Sequence, residues 1–320
     1  MYNGAERVER CIKSILAQTY PEIELIITDD GSKDKSYEIA QKTVEKFNRN
    51  NFEIVLSRQE NQGVAVTRNN GILKATGDYI TFVDQDDYLE PQYCEEYMSV
   101  AITKDADIVV GGYQRITDYG KVTRAVKLTK DYWSKFIVMA PWAHIYKREM
   151  LLKHGIEFLT TGIGEDVYFN MLAYAATESV EVIPSDSYLW VNNPESVSNS
   201  KQNTINEKVN PIFLLDSIVN KIPNQKFLNC EEVEYYFLRY VCWYMLFSSR
   251  GSKKANIEDM GNNLLCWLKR HYPNYRHNYY MGFGKPKGEP FSIRASVWFF
   301  YHLERIGLLL PILKCFGVKN

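Results

Sequence analysis

Apolar residues recur along the first 110 positions in two alternating rhythms. Val8, Cys11, Ile12, Ile15 and Leu16 follow helical spacing. Ile23-Glu24-Leu25-Ile26-Ile27-Thr28 then reads as a buried strand that stops abruptly at Asp29-Asp30-Gly31-Ser32. Ile39, Ala40, Val44 and Phe47 predict a second helix, and Phe52–Leu56 a second strand. A third helix is expected near Val64–Ala75, with a strand at Tyr79–Val83 running into Asp84-Gln85-Asp86-Asp87. A helix over about Pro91–Thr103 leads to the strand Ile108-Val109-Val110. Continuous apolar strands separated by helices predict an α/β fold, with a mostly parallel sheet and helices on both faces.

After residue 110 the rhythm changes. Tyr113–Val126 reads as a hairpin around Tyr119-Gly120. A helix starting near Glu165 precedes strands at Val180–Ile183 and Tyr188–Val191. From about Thr204 the patterns are helical, interrupted by a Pro/Gly-rich stretch at Gly282–Pro290. The expected division is an α/β domain over 1–200 and a helical C-terminal region over 201–320. A doubly wound domain has a strand before its first helix, and Met1-Tyr2-Asn3-Gly4 is too short to form one. The chain is therefore expected to begin inside the domain; a domain lacking that strand is the alternative.

Composition narrows the class. With 45% hydrophobic and 24% charged residues, the chain can build a sizeable core. A net charge of −1 argues against a nucleic-acid partner. The six cysteines show no CxxC and no zinc spacing, and are expected to be buried free thiols in a reducing compartment. No secretory signal pattern opens the chain. No run of about 18 apolar residues suggests a spanning helix. Charge is uneven, however: from Leu264 onward nine Lys and Arg face only Glu289 and Glu304. The basic, aromatic segment 291–316 fits either a helix packed on its own domain or a peripheral contact with an anionic membrane. The Tyr/Trp-rich stretch Glu231–Phe247 reads as core rather than a carbohydrate platform.

The chemistry sits at strand ends. In open α/β sheets ligands bind beyond the carboxyl ends of the strands. Two strands here end in acids, Asp29-Asp30 and Asp84-Gln85-Asp86-Asp87, and Glu165-Asp166 opens a helix. Gathered carboxylates repel one another unless a cation or donor joins them. Hard oxygen ligands select Mg²⁺ or Mn²⁺, which fill their shells with substrate phosphates. A calcium loop at Asp84 is excluded, because its sixth position is Leu89 instead of Gly. Arg68 lies one turn into the helix after Gly63, and its planar fork suits a diphosphate.

Taken together, these residues resemble glycosyltransferase family 2, with its nucleotide-diphosphosugar transferase (GT-A) fold. The matching runs are Tyr2-Asn3, Cys11–Tyr20, Glu24–Asp34, Asn61-x-Gly63, Arg68-Asn69-x-Gly71, Gly77–Ile80, the DxD motif at Asp84–Asp86, Trp142–Arg148 and Gly164–Val167. The resemblance covers about residues 2–200. It implies an inverting, metal-dependent hexosyl- or N-acetylhexosaminyltransferase. A nucleotide-sugar donor, UDP-linked, would be used on a saccharide or lipid-linked saccharide acceptor in bacterial surface-glycan assembly. The location implied is cytoplasmic, at the inner face of the membrane. By the same resemblance Asp30 would bind uracil and Asp84 the ribose. Arg68, Asp87 and Glu165 would belong to the donor site. Asp86 would ligate Mg²⁺ or Mn²⁺, and Asp166 would be the catalytic base. His144 departs from the family pattern and is expected to be a packed or surface histidine. The rival readings are a catalytically silent nucleotide-sugar-binding subunit and a nucleotidyltransferase. A processive synthase is disfavoured by the lack of a QxxRW motif.

Overall fold

The computed structural model describes residues 1–47, 52–193, 204–205 and 210–318. The chain forms two compact units. The first, built from 1–130, 138–160 and 165–193, contains helices α1 (Val8–Leu16), α2 (Ser36–Glu45), α3 (Val64–Lys74), α4 (Tyr93–Lys104), α5 (Arg148–Lys153) and α6 (Glu165–Ala176). Its strands are β1 (Ile23–Asp29), β2 (Phe52–Arg58), β3 (Tyr79–Ile80), β4 (Tyr88–Leu89), β5 (Ile108–Val110), β6 (Tyr113–Ile116), β7 (Val122–Val126), β8 (His144–Lys147), β9 (Val180–Val182) and β10 (Tyr188–Val191).

The α/β class stands, but the sheets are mixed where a mostly parallel one was expected. β1 pairs β2 in parallel from Ile23↔Phe52 to Asp29↔Arg58. A second sheet runs β3-β8-β5-β9 and a third β4-β10-β6-β7. Among the described pairs, β5·β9 and β6·β10 are also parallel, whereas β8 lies antiparallel to both β3 and β5. In the third sheet β4 and β7 run antiparallel to β10 and β6; in the second the reason is β8, a four-residue strand whose His144 and Lys147 hide it from any apolar run. It fills the place between β3 and β5 and reverses the direction there.

The local causes are ordinary. Val8, Ile12 and Leu16, spaced by one turn, close over Leu25 and Ile27 of β1 and Ala40 of α2. Of the apolar run 79–83 only Tyr79 and Ile80 pair, because Thr81 turns its hydroxyl to the His144 carbonyl (2.7 Å) and the chain leaves the ladder for the acid loop. His144 itself is fully buried. Its Nδ1 lies 2.9 Å from the Trp142 carbonyl and its Nε2 2.7 Å from the Tyr174 hydroxyl. Burial pushes its pKa down to about 4, so it is a neutral core residue.

The second unit contains Asp131–Ile137, Thr161–Gly164 and the described part of 194–320. Its helices are α7 (Pro211–Lys221), α8 (Gln225–Leu228), α9 (Glu231–Ser248), α10 (Lys254–His271), α11 (Phe291–Arg305) and α12 (Leu309–Phe316). α9 is mostly core, as its pattern predicts: Tyr235, Tyr236, Phe237, Tyr240 and Tyr244 are all buried, whereas Trp243 and Phe247 are exposed. No single helix among the described residues is long and apolar enough to cross a membrane. The cysteines are free, but they are not uniformly buried. Cys11 and Cys242 are enclosed, whereas Cys266 and Cys315 are exposed.

Candidate active site

The first acid cluster is an internal strut. β1 ends at Asp29, which pairs with Arg58 at 3.0 Å, and Gly31 then turns at φ 73°. A Cβ on Gly31 would stand 2.9 Å from the Asn61 amide nitrogen, so this turn requires glycine. Asp30 is 4% exposed, and its carboxylate accepts from the amides of Gln62 and Gly63 and from Gln59 Nε2, each at 2.9 Å. Burial alone would raise its pKa, but these donors outweigh burial and hold it below the ordinary value. Such a depressed carboxylate stabilises the fold above its unfolded pKa of about 3.9, and that contribution is lost as pH falls through the folded value. Asp30→Ala strands these donors and is expected to cost about 2–4 kcal/mol in chemical denaturation near neutral pH. The deficit should shrink in acid.

The strut controls α3. Gly63 caps that helix at φ 88°, and Gln59 reaches on to Thr67 (3.2 Å) and Asn70 (3.1 Å), one on each side of Arg68. Gln59 is a residue that sequence reasoning passed over, since a lone glutamine after a strand carries no motif.

Arg68 joins the other two clusters. Its Nη2 lies 2.7 Å from Asp84 Oδ1 and its Nη1 2.6 Å from Asp166 Oδ1, with the guanidinium 5.2 Å above the Phe158 ring. The Arg68 side chain is 11% exposed, whereas Asp84 and Asp166 remain about one-third open to solvent. Burial works against the Arg68 charge, but Asp166, Asp84 and Glu165 outweigh it, so the group stays cationic. For Asp166 the balance runs upward. Burial raises its pKa first, Arg68 opposes, and Glu165 and Asp84 raise it further. An acid above its ordinary range, next to an open face, is poised to exchange a proton.

Asn69 fixes this geometry from behind. Its side chain makes two bonds to Phe158, donating to the carbonyl (2.9 Å) and accepting from the amide (2.7 Å). Phe158 stacks on Phe169 at 4.0 Å, three residues after Asp166 on α6. Asn69→Ala leaves both backbone groups of Phe158 unpaired. It is expected to cost about 1–3 kcal/mol in thermal unfolding and to lower any activity that depends on Arg68.

The acid loop 84–87 divides its labour. Asp87 points inward, accepting from the Tyr188 hydroxyl (2.7 Å) and the Val191 amide (2.8 Å), and burial with Asp84 and Asp86 nearby drives its pKa well up. It anchors the loop to β10. Asp86 is partly open and accepts from Asn193 at 3.2 Å. Gln85 makes reciprocal bonds with the Tyr2 backbone (2.7 and 2.8 Å), and Asn3 does the same with the turn at Ser32 and Lys33. Tyr2-Asn3 thus straps the first and second acid clusters together. Glu165 opens α6 beside Asp166.

No group of three or more His, Cys, Asp or Glu able to hold a metal comes together among the described residues. The available donors are Asp86 and Asp84. One or two carboxylates fit a Mg²⁺-like ion that takes most of its ligands from substrate phosphates and water.

The architecture is that of a GT-A α/β domain with a helical C-terminal region, its acid clusters gathered at strand ends. The Glycosyl transferase family 2 profile matches residues 1–160 of the 320, and the chain belongs to that family. It is 29% identical to Streptococcus pneumoniae "Glycosyltransferase GlyA" over 59% of this chain and 29% of that protein. It is 32% identical to the "Putative glycosyltransferase EpsH" of Bacillus subtilis over 59% of this chain and 58% of that one. The match therefore spans less than two thirds of the length of each of these relatives. Its fold resembles that of S. aureus TarS 1-349 in complex with UDP-GlcNAc, with a TM-score of 0.56 and 17% identity over 91% of this chain and 96% of that one.

Proposed function

We propose that this chain is an inverting glycosyltransferase that moves one sugar from a UDP-sugar to an acceptor hydroxyl. The observation that carries this reading is the Arg68 bridge, which brings Asp84 of the DxD loop and Asp166 of α6 to one guanidinium although they are 82 residues apart. Donor-side and acceptor-side carboxylates are thereby held in a fixed relation.

In this reading Asp86, helped by Asp84, would hold Mg²⁺ or Mn²⁺. The bound ion would neutralise charge on the departing diphosphate. Arg68 adds a fixed positive charge at the same place, and in a partly desolvated site that charge is stronger than in water. Asp166 takes the proton from the acceptor hydroxyl as its oxygen attacks the anomeric carbon from the side opposite the diphosphate. The transition state is oxocarbenium-like, and back-side attack inverts the configuration. Asp30 and Asp87 support the loops that receive the nucleotide, and Glu165 keeps the Asp166 proton affinity high.

The donor class is supported by the fold shared with TarS, which binds UDP-GlcNAc. A hexosyl or N-acetylhexosaminyl donor, a saccharide or lipid-linked acceptor, and bacterial surface-glycan assembly at the cytoplasmic face of the membrane complete the proposal. The test is a panel of nucleotide sugars, UDP-GlcNAc first, assayed for nucleoside diphosphate release with a divalent ion and with a chelator. Release from at least one UDP-sugar, lost with the chelator, is expected. A chain that binds donors yet releases no diphosphate with any acceptor would instead be a silent binding subunit.

A further inference from the structure

The helical unit leaves a series of large apolar side chains in solvent. Phe283, Phe291, Phe299, Ile306, Leu308 and Phe316 are each 42–63% exposed. On α11, Phe291, Phe299 and Ile306 fall within an arc of about 80°, while Val297, Phe300 and Tyr301 pack inward. The rings of Phe283 and Trp298 stand 4.7 Å apart, and Phe299 lies 5.0 Å from Trp298, so these aromatics form one surface cluster. The chain then bends by 119° into α12, where Leu308, Ile312 and Phe316 recur every four residues on the outer side and Leu309 and Leu313 are buried.

Charge identifies the occupant. Within 272–318 the acids are Glu289 and Glu304, and both are withdrawn. Glu289 is 3% exposed and accepts from Trp133 Nε1, while Glu304 lies under Arg276 and Lys269. Lys287 and Arg305 remain exposed on the same segment as the apolar series. The outward surface of 272–318 is therefore apolar and cationic, its own carboxylates withdrawn and only Lys314 meeting an exposed acid, Glu258 of α10 at 3.0 Å, on a chain whose net charge is −1. A second copy of this face would set like charges against each other. An anionic bilayer satisfies both features, since aromatic and aliphatic groups enter the boundary between headgroups and acyl chains while cations meet lipid phosphates.

We infer that Phe283 and the outer faces of α11 and α12 seat this chain on the surface of an anionic phospholipid bilayer. The helices lie along that surface and do not cross it. This seat is independent of the transfer reaction, so either can fail without the other.

The full chain should be pelleted with vesicles of phosphatidylcholine alone and of phosphatidylcholine mixed with phosphatidylglycerol. The expected result is pelleting with the mixed vesicles, weakened by salt and slight on neutral ones. Phe299→Ser combined with Ile306→Ser should weaken binding more than about tenfold, because both side chains lose their burial in lipid. Lys287→Gln and Arg305→Gln should each weaken it about fivefold. UDP release from a soluble UDP-sugar should be unchanged in all three. Equal pelleting on neutral and anionic vesicles, or full pelleting by the Phe299/Ile306 variant, would overturn the inference. So would lipid-free self-association of the wild type that this variant abolishes, which would make a second copy the occupant.

Discussion

Asp166→Asn is expected to lower turnover by about 10²- to 10⁴-fold, the contribution of a positioned general base, with donor affinity nearly unchanged. The substitution keeps the shape and the contact with Arg68 but removes the proton acceptor. The measurement is steady-state sugar transfer together with donor titration. The wild-type pH profile should carry the same signature. Burial and the neighbouring Glu165 and Asp84 raise the Asp166 pKa, so kcat/KM should climb with pH through a limb above the ordinary Asp value of about 3.9. A base must be deprotonated to act, so the limb rises with pH. A variant that transfers sugar at the wild-type rate would remove Asp166 from the chemistry.

Arg68→Ala is expected to have the second-largest effect, on stability and activity together. It leaves Asp84 and Asp166 facing each other without their shared cation. A fully buried pair broken in this way costs about 3–5 kcal/mol. Because both carboxylates are about one-third exposed, screening reduces the expected loss to about 1–3 kcal/mol in thermal unfolding. Arg68 lowers the Asp166 pKa, so its removal should move the acid limb of any residual activity to higher pH. Arg68→Lys should recover little, since lysine has one nitrogen at the end of its chain where Arg68 reaches Asp84 and Asp166 through two separate ones held in a rigid plane. A limb that stays in place in Arg68→Ala would show that the two side chains are not coupled in solution.

Much of this fold is written as local rhythm. The run Ile23–Thr28 and the helical spacing of Val8, Ile12 and Leu16 encode β1 and α1 because each buries a continuous face. β4 and β8 were hidden for the opposite reason. Tyr88–Leu89 and His144–Lys147 are too short for any period; β8 is a strand because β3 and β5 supply hydrogen bonds on both sides, and β4 because β10 pairs with it on one. The reversal within the second sheet follows from β8 and could not be read without it. At the site, the acids were legible as clusters, since like charges at successive strand ends require an explanation. Their division of labour was not. Asp86 and Asp87 are adjacent in sequence, yet one is partly open and the other is locked onto Tyr188 and Val191. Gln59 escaped notice, and Asn69 and Gln85 stood in the matching runs without a role, because an amide becomes informative only once its two partners, distant in the chain, are known.

The whole account requires the three acid clusters to work as one site for a nucleotide diphosphate, a divalent ion and an acceptor. The most direct test is a crystal structure of the chain with UDP and Mn²⁺, the metal located by its anomalous signal. The account predicts manganese at Asp86 bound to both phosphates, uridine over the Asp30–Gly63 turn, and an open space between the phosphates and Asp166 wide enough for a sugar. Uridine diphosphate held away from the 84–87 loop, or Asp166 walled off from it by protein, would contradict the account.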